Sequence, residues 1–128
     1  MNATDARYAL IFKPPPEIRP ILPRLGSRHR DPRPMAIETY EGHQPQIHPS
    51  AFIAASADVI GRVTIGEEAS IWYNATVRGD INEIVIGPRS NIQDNAVVHL
   101  ADDFGCFVGE WVTVGHGAII HACTIGDE

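Results

Sequence analysis

The chain has 128 residues, a formal net charge of −6 and 44% hydrophobic residues, which suffices for one domain with a single hydrophobic core. It contains no apolar run long enough to cross a membrane, so we expect no membrane partner. From Met35 onward, three basic residues stand against thirteen acidic ones, and a surface of that charge excludes nucleic acid as a partner.

The first 34 residues differ in composition from the rest of the chain. They hold seven of the ten Lys and Arg residues and seven of the ten prolines. Such a sequence buries little apolar surface, so residues 1–34 are predicted to be a disordered extension. Met35 offers an alternative start, in which case the extension is not native. The segment does not resemble a signal peptide, and we expect a cytoplasmic protein.

A six-residue repeat of aliphatic residues begins at Ile53 and runs to the end of the chain. Most steps are six residues, interrupted by a three-residue insertion after Val77, a four-residue insertion after Val98 and a one-residue deletion after Ile120. A period of six fits neither an amphipathic helix nor one long strand, whereas short strands separated by regular turns fit it. The repeat positions are Ile53, Val59, Ile65, Ile71, Val77, Ile86, Ile92, Val98, Val108, Val114, Ile120 and Ile125.

Two further patterns accompany the repeat. Glycine follows the aliphatic residue in every third repeat, as at Ile65-Gly66 and Ile86-Gly87, which predicts three repeats per coil. Four places after each repeat position the residue is usually small or β-branched, from Ala57 to Thr124. Stacked coils of three short strands form a triangular prism whose repeat positions point inward. The sequence therefore predicts an all-β protein, with a parallel β-helix over residues 35–128.

In this pattern the chain resembles the hexapeptide-repeat proteins, and the resemblance implies a left-handed β-helix. Arg78, His99 and His121 each directly follow a repeat position of one face, so their side chains are expected to form one outward column. Adjacent strands lie about 4.8 Å apart, close enough for two imidazoles to share one metal ion. His116 lies around a corner of the prism, on another face.

If His116 joins that metal site, it must come from a neighbouring subunit. The contact then joins two unlike faces, and on a three-sided prism it closes as a ring of three, so a homotrimer with interfacial metal sites is predicted. Three neutral imidazoles leave one coordination position open for water, as in catalytic Zn²⁺ sites. Fe²⁺ and Co²⁺ also accept three imidazoles.

The segments around these histidines resemble those of the γ-class carbonic anhydrases. The resemblance implies that His99, His116 and His121 are the metal ligands. It also implies reversible hydration of carbon dioxide to bicarbonate, through attack by a metal-bound hydroxide. The matching stretches are Val77-Arg78-Gly79-Asp80, Asn91-Ile92-Gln93-Asp94-Asn95, Val98-His99 and Val114-Gly115-His116-Gly117-Ala118-Ile119-Ile120-His121.

The same resemblance implies roles for four polar residues. Gln93 is expected to orient the metal-bound water or bicarbonate, and Asn91 to line the pocket. Arg78 and Asp80 match a family pair that makes an ionic link across the subunit interface. Ile81 is a departure, because the prototype enzymes have an acidic residue there.

Two other classes of function stay open. One is a hexapeptide-repeat acyltransferase or thioesterase acting on a coenzyme A thioester, for which one histidine as general base suffices. The other is a non-catalytic scaffold or a defunct fragment, because the connection after His99 is short and the chain stops within the repeat that opens at Ile125. That stop predicts a β-helix that is incomplete at its C-terminus. Cys106 and Cys123 are interpreted as small hydrophobic residues of a reducing compartment.

Overall fold

A computed structural model describes residues 36–128, and the extension predicted for residues 1–34 lies outside the described residues. No helix occurs between residues 36 and 128, so this part of the chain has none that could cross a membrane. The strands in chain order are β1 Ala36–Glu38, β2 Gln46–Ile47, β3 Phe52–Ile53, β4 Asp58–Ile65, β5 Ser70–Ile71, β6 Thr76–Ile86, β7 Asn91–Ile92, β8 Val97–His99, β9 Cys106–Val108, β10 Thr113–Val114, β11 Ile119–His121 and β12 Thr124–Ile125.

The strands pair in parallel along three faces of a left-handed β-helix, as predicted. Face one consists of β3, β5, β7 and β10; face two runs through β1, β4, β6, β8 and β11. Face three joins β2, the ends of β4 and β6, β9 and β12. Each coil therefore passes once along every face. We number the coils 1 to 4 by their face-one strands, β3, β5, β7 and β10.

The repeat positions form the hydrophobic core. In coil 2 the three of them, Ile71, Val77 and Ile86, are fully buried, and each pairs with the corresponding residue of the coils on either side. No coil could bury such residues alone, so stacking supplies the stability of this fold. Towards the last coil the burial decreases, and Ile120 and Ile125 are only partly buried.

Three of the four glycines that follow face three, namely Gly66, Gly87 and Gly109, are required by the close approach of neighbouring coils. A Cβ on Gly87 would collide with the carbonyl oxygen of Gly109 and would lie 2.9 Å from that of Val108. Any side chain larger than hydrogen would push these two coils apart. At Gly126, by contrast, no atom of residues 36–128 lies within 4 Å of the added Cβ.

Both insertions leave the core continuous. In β6, the pairing with β4 shifts from Gly61 with Gly79 to Val63 with Ile84, so the extra residues project outward between Gly79 and Ile84. The second insertion forms the loop between β8 and β9. Projecting outward, the first insertion places Asp80 beside the outward column of face two.

The one-residue deletion changes which side chain enters the core of coil 4. Thr124 continues the sequence pattern of small residues, but it is exposed in the structure. Cys123 instead lies two residues before the repeat position Ile125, as Cys106 lies two residues before Val108, and packs against the core. The shorter step moves the inward position back by one residue.

Candidate metal centre

His99 and His121 stack on the outer side of face two. They occupy paired positions in β8 and β11. Each directly follows a residue whose side chain points into the core, Val98 or Ile120, so the two imidazoles point outward. The ring centroids are 5.2 Å apart and the ring planes are inclined by 50°. The predicted stacking of these two histidines is therefore confirmed, and their imidazoles lie close enough to converge on one ion.

Asp80 connects this histidine pair to Arg78. Nε2 of His99 donates to Oδ1 of Asp80 at 2.9 Å, and Nη1 of Arg78 donates to Oδ2. The Ile81 amide also donates to Oδ1, at 3.1 Å. Arg78 and Asp80 thus pair within one chain, while the link across a subunit interface stays a prediction.

The surroundings of Asp80 keep its carboxyl group ionised. Partial burial by itself raises the pKa of Asp80, but the hydrogen bond from His99, the local backbone amide and the charge of Arg78 outweigh it, so the pKa lies below its ordinary value of 3.8. A lowered pKa means that this carboxylate stabilises the fold above pH 3.8, and that the contribution is lost as the pH falls through the folded-state pKa.

His116 lies in the turn between β10 and β11, away from the histidine pair. Its side chain is 69% exposed, and Nδ1 is 2.9 Å from Oδ2 of Asp94. The Gly117 amide donates to the Asp94 carbonyl at 2.9 Å, which ties this turn of coil 4 to coil 3. Within residues 36–128 of one chain, no three His, Cys, Asp or Glu side chains come together as a metal site. One chain thus brings together two of the three predicted ligands.

Asn91 and Gln93 lie on face one of coil 3, the coil next to the one whose turn carries His116. Asn91 pairs with Thr113, and its Nδ2 donates to the Thr113 hydroxyl at 2.9 Å. The Oδ1 atom of Asn91 is buried and has no hydrogen-bond partner among residues 36–128. Gln93 directly follows the buried Ile92, so both polar side chains lie on the outer side of the same face as His116.

Asp94 was missed as a functional candidate by the sequence interpretation. It lies within the Asn91–Asn95 stretch that resembles the γ-class enzymes, but the repeat alone does not show that it reaches His116 across one coil. Its contact places one carboxylate beside His116, as Asp80 lies beside His99. Carboxylates that hold the second nitrogen of a histidine are typical of metal sites.

Exposed apolar side chains lie on face one and on face two, the faces that carry the two half-sites. On face one, Phe52 and Trp72 stack with centroids 5.3 Å apart and are 46% and 38% exposed. On face two, Ile119 is 75% exposed and Ile81 is 47% exposed. Apolar groups of this size beside polar site residues are typical of surfaces that another protein chain covers.

Several known proteins are similar to this chain in sequence. No family model matches the chain. The chain is 51% identical to the "Probable carbonic anhydrase" of Methanocaldococcus jannaschii, over 59% of this chain and 48% of that protein. It is 46% identical to the "Carbonic anhydrase" of Geobacillus kaustophilus, over 70% of this chain and 49% of that one.

A solved structure shares the fold of this chain. The crystal structure of a hexapeptide transferase family protein from Anaplasma phagocytophilum matches with a TM-score of 0.64 and 46% identity, over 70% of this chain and 52% of that one. The chain belongs to the γ-carbonic-anhydrase-like family of hexapeptide-repeat proteins. This γ-carbonic-anhydrase-like chain spans about half the length of these three relatives, at 48%, 49% and 52%.

Proposed function

We propose that the protein is a γ-carbonic-anhydrase-like metalloenzyme that hydrates carbon dioxide reversibly to bicarbonate, at sites between the subunits of a homotrimer. The observation that carries the proposal is the division of the histidines. His99 and His121 stack on face two, whereas His116 projects from the turn that follows face one. A complete set of three imidazoles therefore requires face two of one chain to meet face one of the next.

The surfaces around the two half-sites support such an assembly. Face one exposes Phe52 and Trp72, and face two exposes Ile81 and Ile119. Joining unlike faces buries both apolar groups and repeats around a threefold axis until the ring closes. The same contact delivers His116 to the stacked pair.

Within this arrangement two of the three histidines have a carboxylate that orients them. Asp80 holds Nε2 of His99, and Asp94 holds Nδ1 of His116, so each ring keeps its other nitrogen for an ion. Zn²⁺ is the first choice for three neutral imidazoles, with Fe²⁺ or Co²⁺ as alternatives. When bound, such an ion supplies Lewis acidity, which makes a water molecule acidic near neutral pH.

The remaining polar residues position the reactants. Gln93 and Asn91 have amide groups on the side from which His116 approaches, where they can donate to bicarbonate and accept from water. Arg78 keeps Asp80 in place through its ion pair and thereby holds the orientation of His99. We place this reaction in the cytoplasm.

The decisive experiment combines elemental analysis with mass determination in solution. We expect a trimer with one divalent ion per chain, and carbon dioxide hydration that disappears when a chelator removes the metal. His116→Ala should remove most of the metal while the chain still folds, and so should His99→Ala. His43→Ala is the matched control, because His43 lies outside both half-sites and should leave metal content and mass unchanged. A folded, metal-free monomer would contradict the proposal.

An acyltransferase that uses a coenzyme A thioester is the second candidate, because a hexapeptide transferase family protein shares this fold at 46% identity. Such an enzyme needs one histidine as a general base and no ion. Single substitutions distinguish the two functions. A metal enzyme loses activity when any one of His99, His116 and His121 is replaced. A one-base enzyme loses activity in only one of these three single variants and keeps it in the other two. A metal-loaded trimer without either activity would indicate a scaffold.

A further inference from the structure

Two cysteines face each other inside the prism, on face three. Thr124 pairs with Phe107, so Cys123 in coil 4 lies directly beside Cys106 in coil 3. The Phe107 amide donates to the Cys123 carbonyl at 2.8 Å, which holds the two backbones in this register. The two Sγ atoms are 4.0 Å apart, and both cysteines are free thiols.

The backbone geometry suits a covalent bond between these thiols. Neighbouring strands lie about 4.8 Å apart, which is within the Cα separation of roughly 4.4 to 6.8 Å that disulfides span. Both side chains already point to the same side of the pair, so bringing the sulfurs together requires side-chain rotation rather than a change of fold. Cys106 is fully buried, whereas Cys123 is partly exposed and is the thiol that a reagent can reach first.

We propose that Cys106 and Cys123 form a reversible disulfide by exchange with a small disulfide such as oxidised glutathione. The Cys123 thiolate attacks one sulfur of oxidised glutathione, forms a mixed disulfide and releases one glutathione. The Cys106 thiolate then attacks the sulfur of Cys123 and releases the second glutathione. Two cysteines are oxidised, one oxidised glutathione is reduced, and the two protons lost by the cysteines end on the two glutathione thiols.

The bond would join the last two strands of face three. It connects Cys106 in β9 to Cys123, the residue directly before β12, across 17 positions of sequence, and thereby ties coil 4 to coil 3 two residues after His121. Burial of Cys106, together with the neighbouring Cys123, raises the pKa of the Cys106 thiol to about 11. In the mixed disulfide Cys123 is no longer a thiol, but the burial of Cys106 still raises the pKa of the Cys106 thiol, so the second exchange is slow at neutral pH and accelerates as the pH rises. In a compartment rich in reduced glutathione the pair stays as thiols.

Incubation of the full chain with oxidised glutathione, followed by intact mass and thiol counting under denaturing conditions, tests the proposal. We expect loss of two thiols per chain and two hydrogens, and a proteolytic fragment that joins Cys106 to Cys123. The melting temperature should rise by about 10 °C, because a loop of this length is closed in the unfolded state, and reduction should reverse the change. Cys106→Ser and Cys123→Ser are matched controls, and neither should gain melting temperature with the oxidant.

Three results would overturn the proposal. They are two thiols that persist in the folded protein at pH 9, a stable glutathione adduct on Cys123, and chains joined to each other through Cys123. Each shows that the second step inside one chain does not occur. None of these results depends on a metal or on the trimer. The disulfide proposal can therefore be wrong while the proposed function is right, and the proposed function can be wrong while the disulfide forms.

Discussion

Coil 2 and coil 4 are built from the same repeat, yet their inner residues are buried to different extents. Ile71, Val77 and Ile86 in coil 2 are fully buried, whereas Ile120 and Ile125 in coil 4 are only partly buried. The reason is that coil 2 has a coil on each side, while coil 4 has a described neighbour on one side only. In a solenoid the stability of each unit comes from its neighbours, so the same residue type contributes differently in the two coils.

The difference matters because coil 4 carries much of the candidate site. His116 and His121 belong to it, and His99 belongs to the coil before it. The candidate metal centre thus lies at the less buried end of the described prism. A bound ion, a neighbouring subunit or the proposed disulfide would each stabilise this end preferentially, because each contacts coil 4 directly.

Truncation of a repeat position is expected to give the largest contrast between the two coils. Ile86→Ala removes a fully buried side chain between two coils and should lower the free energy of unfolding by roughly 2–5 kcal/mol. Ile125→Ala removes a partly buried one and should cost about 1 kcal/mol, because less apolar surface returns to water. Urea unfolding of both variants measures the two costs. Equal losses would show that coil 4 is as well packed as coil 2.

The glycines that follow face three also differ between coil 2 and coil 4, because a Cβ on Gly87, unlike one on Gly126, would meet the backbone of a described neighbouring coil. Gly87→Ala places a Cβ against the Gly109 carbonyl of the next coil and should destabilise the fold by about 1–3 kcal/mol. Gly126→Ala meets no atom of residues 36–128 within 4 Å, so we expect a change within about 0.5 kcal/mol. Thermal unfolding distinguishes the two variants. A large loss at Gly126 would indicate that another chain segment or subunit lies over coil 4.

Hydroxyl groups that bridge coils are expected to give the smallest contrast. Ser90 is fully buried; its hydroxyl donates to the Gly109 carbonyl at 2.6 Å and accepts from the Val112 amide at 2.9 Å. Ser90→Ala leaves both backbone groups unpaired in the interior and should cost about 1–2 kcal/mol. Ser56 in coil 1 accepts from the Asn74 amide at 3.1 Å, but water can replace it there. Ser56→Ala should therefore lower the free energy of unfolding by less than about 0.5 kcal/mol. Chemical denaturation of both variants measures the two losses. Equal losses would show that the burial of Ser90 does not matter.

Much of the fold could be predicted from the sequence because a repeat of six imposes its own geometry. Counting repeats assigned Val98 and Ile120 to the same inward column, and the residues after them had to stack. The stacking of His99 and His121 follows from that register alone. Likewise, the glycine in every third repeat indicated three strands per coil, and the structure shows that Gly87 is needed where two coils touch.

Contacts that depend on insertions, deletions or side-chain rotamers could not be predicted in this way. The contact of Asp80 with His99 depends on the outward path of the insertion in β6. That of Asp94 with His116 depends on two turns in adjacent coils meeting at one corner. The one-residue deletion, in turn, brings Cys123 rather than Thr124 against the core, and so beside Cys106. Each contact joins residues 17 to 22 positions apart in the chain, which the local period does not relate.

By itself, the sequence determined the all-β class, the three-strand coil, the inward column of aliphatic residues and the pairing of two histidines. These follow from a periodic pattern, because a regular chain repeats one local conformation and buries one side of it. Only the tertiary structure decided which carboxylate holds which histidine, and that Cys123 rather than Thr124 packs against the core. Those features depend on where the insertions, the deletion and the turns come into contact once the coils have stacked. The six-residue repeat does not determine these contacts, because side-chain packing between coils does.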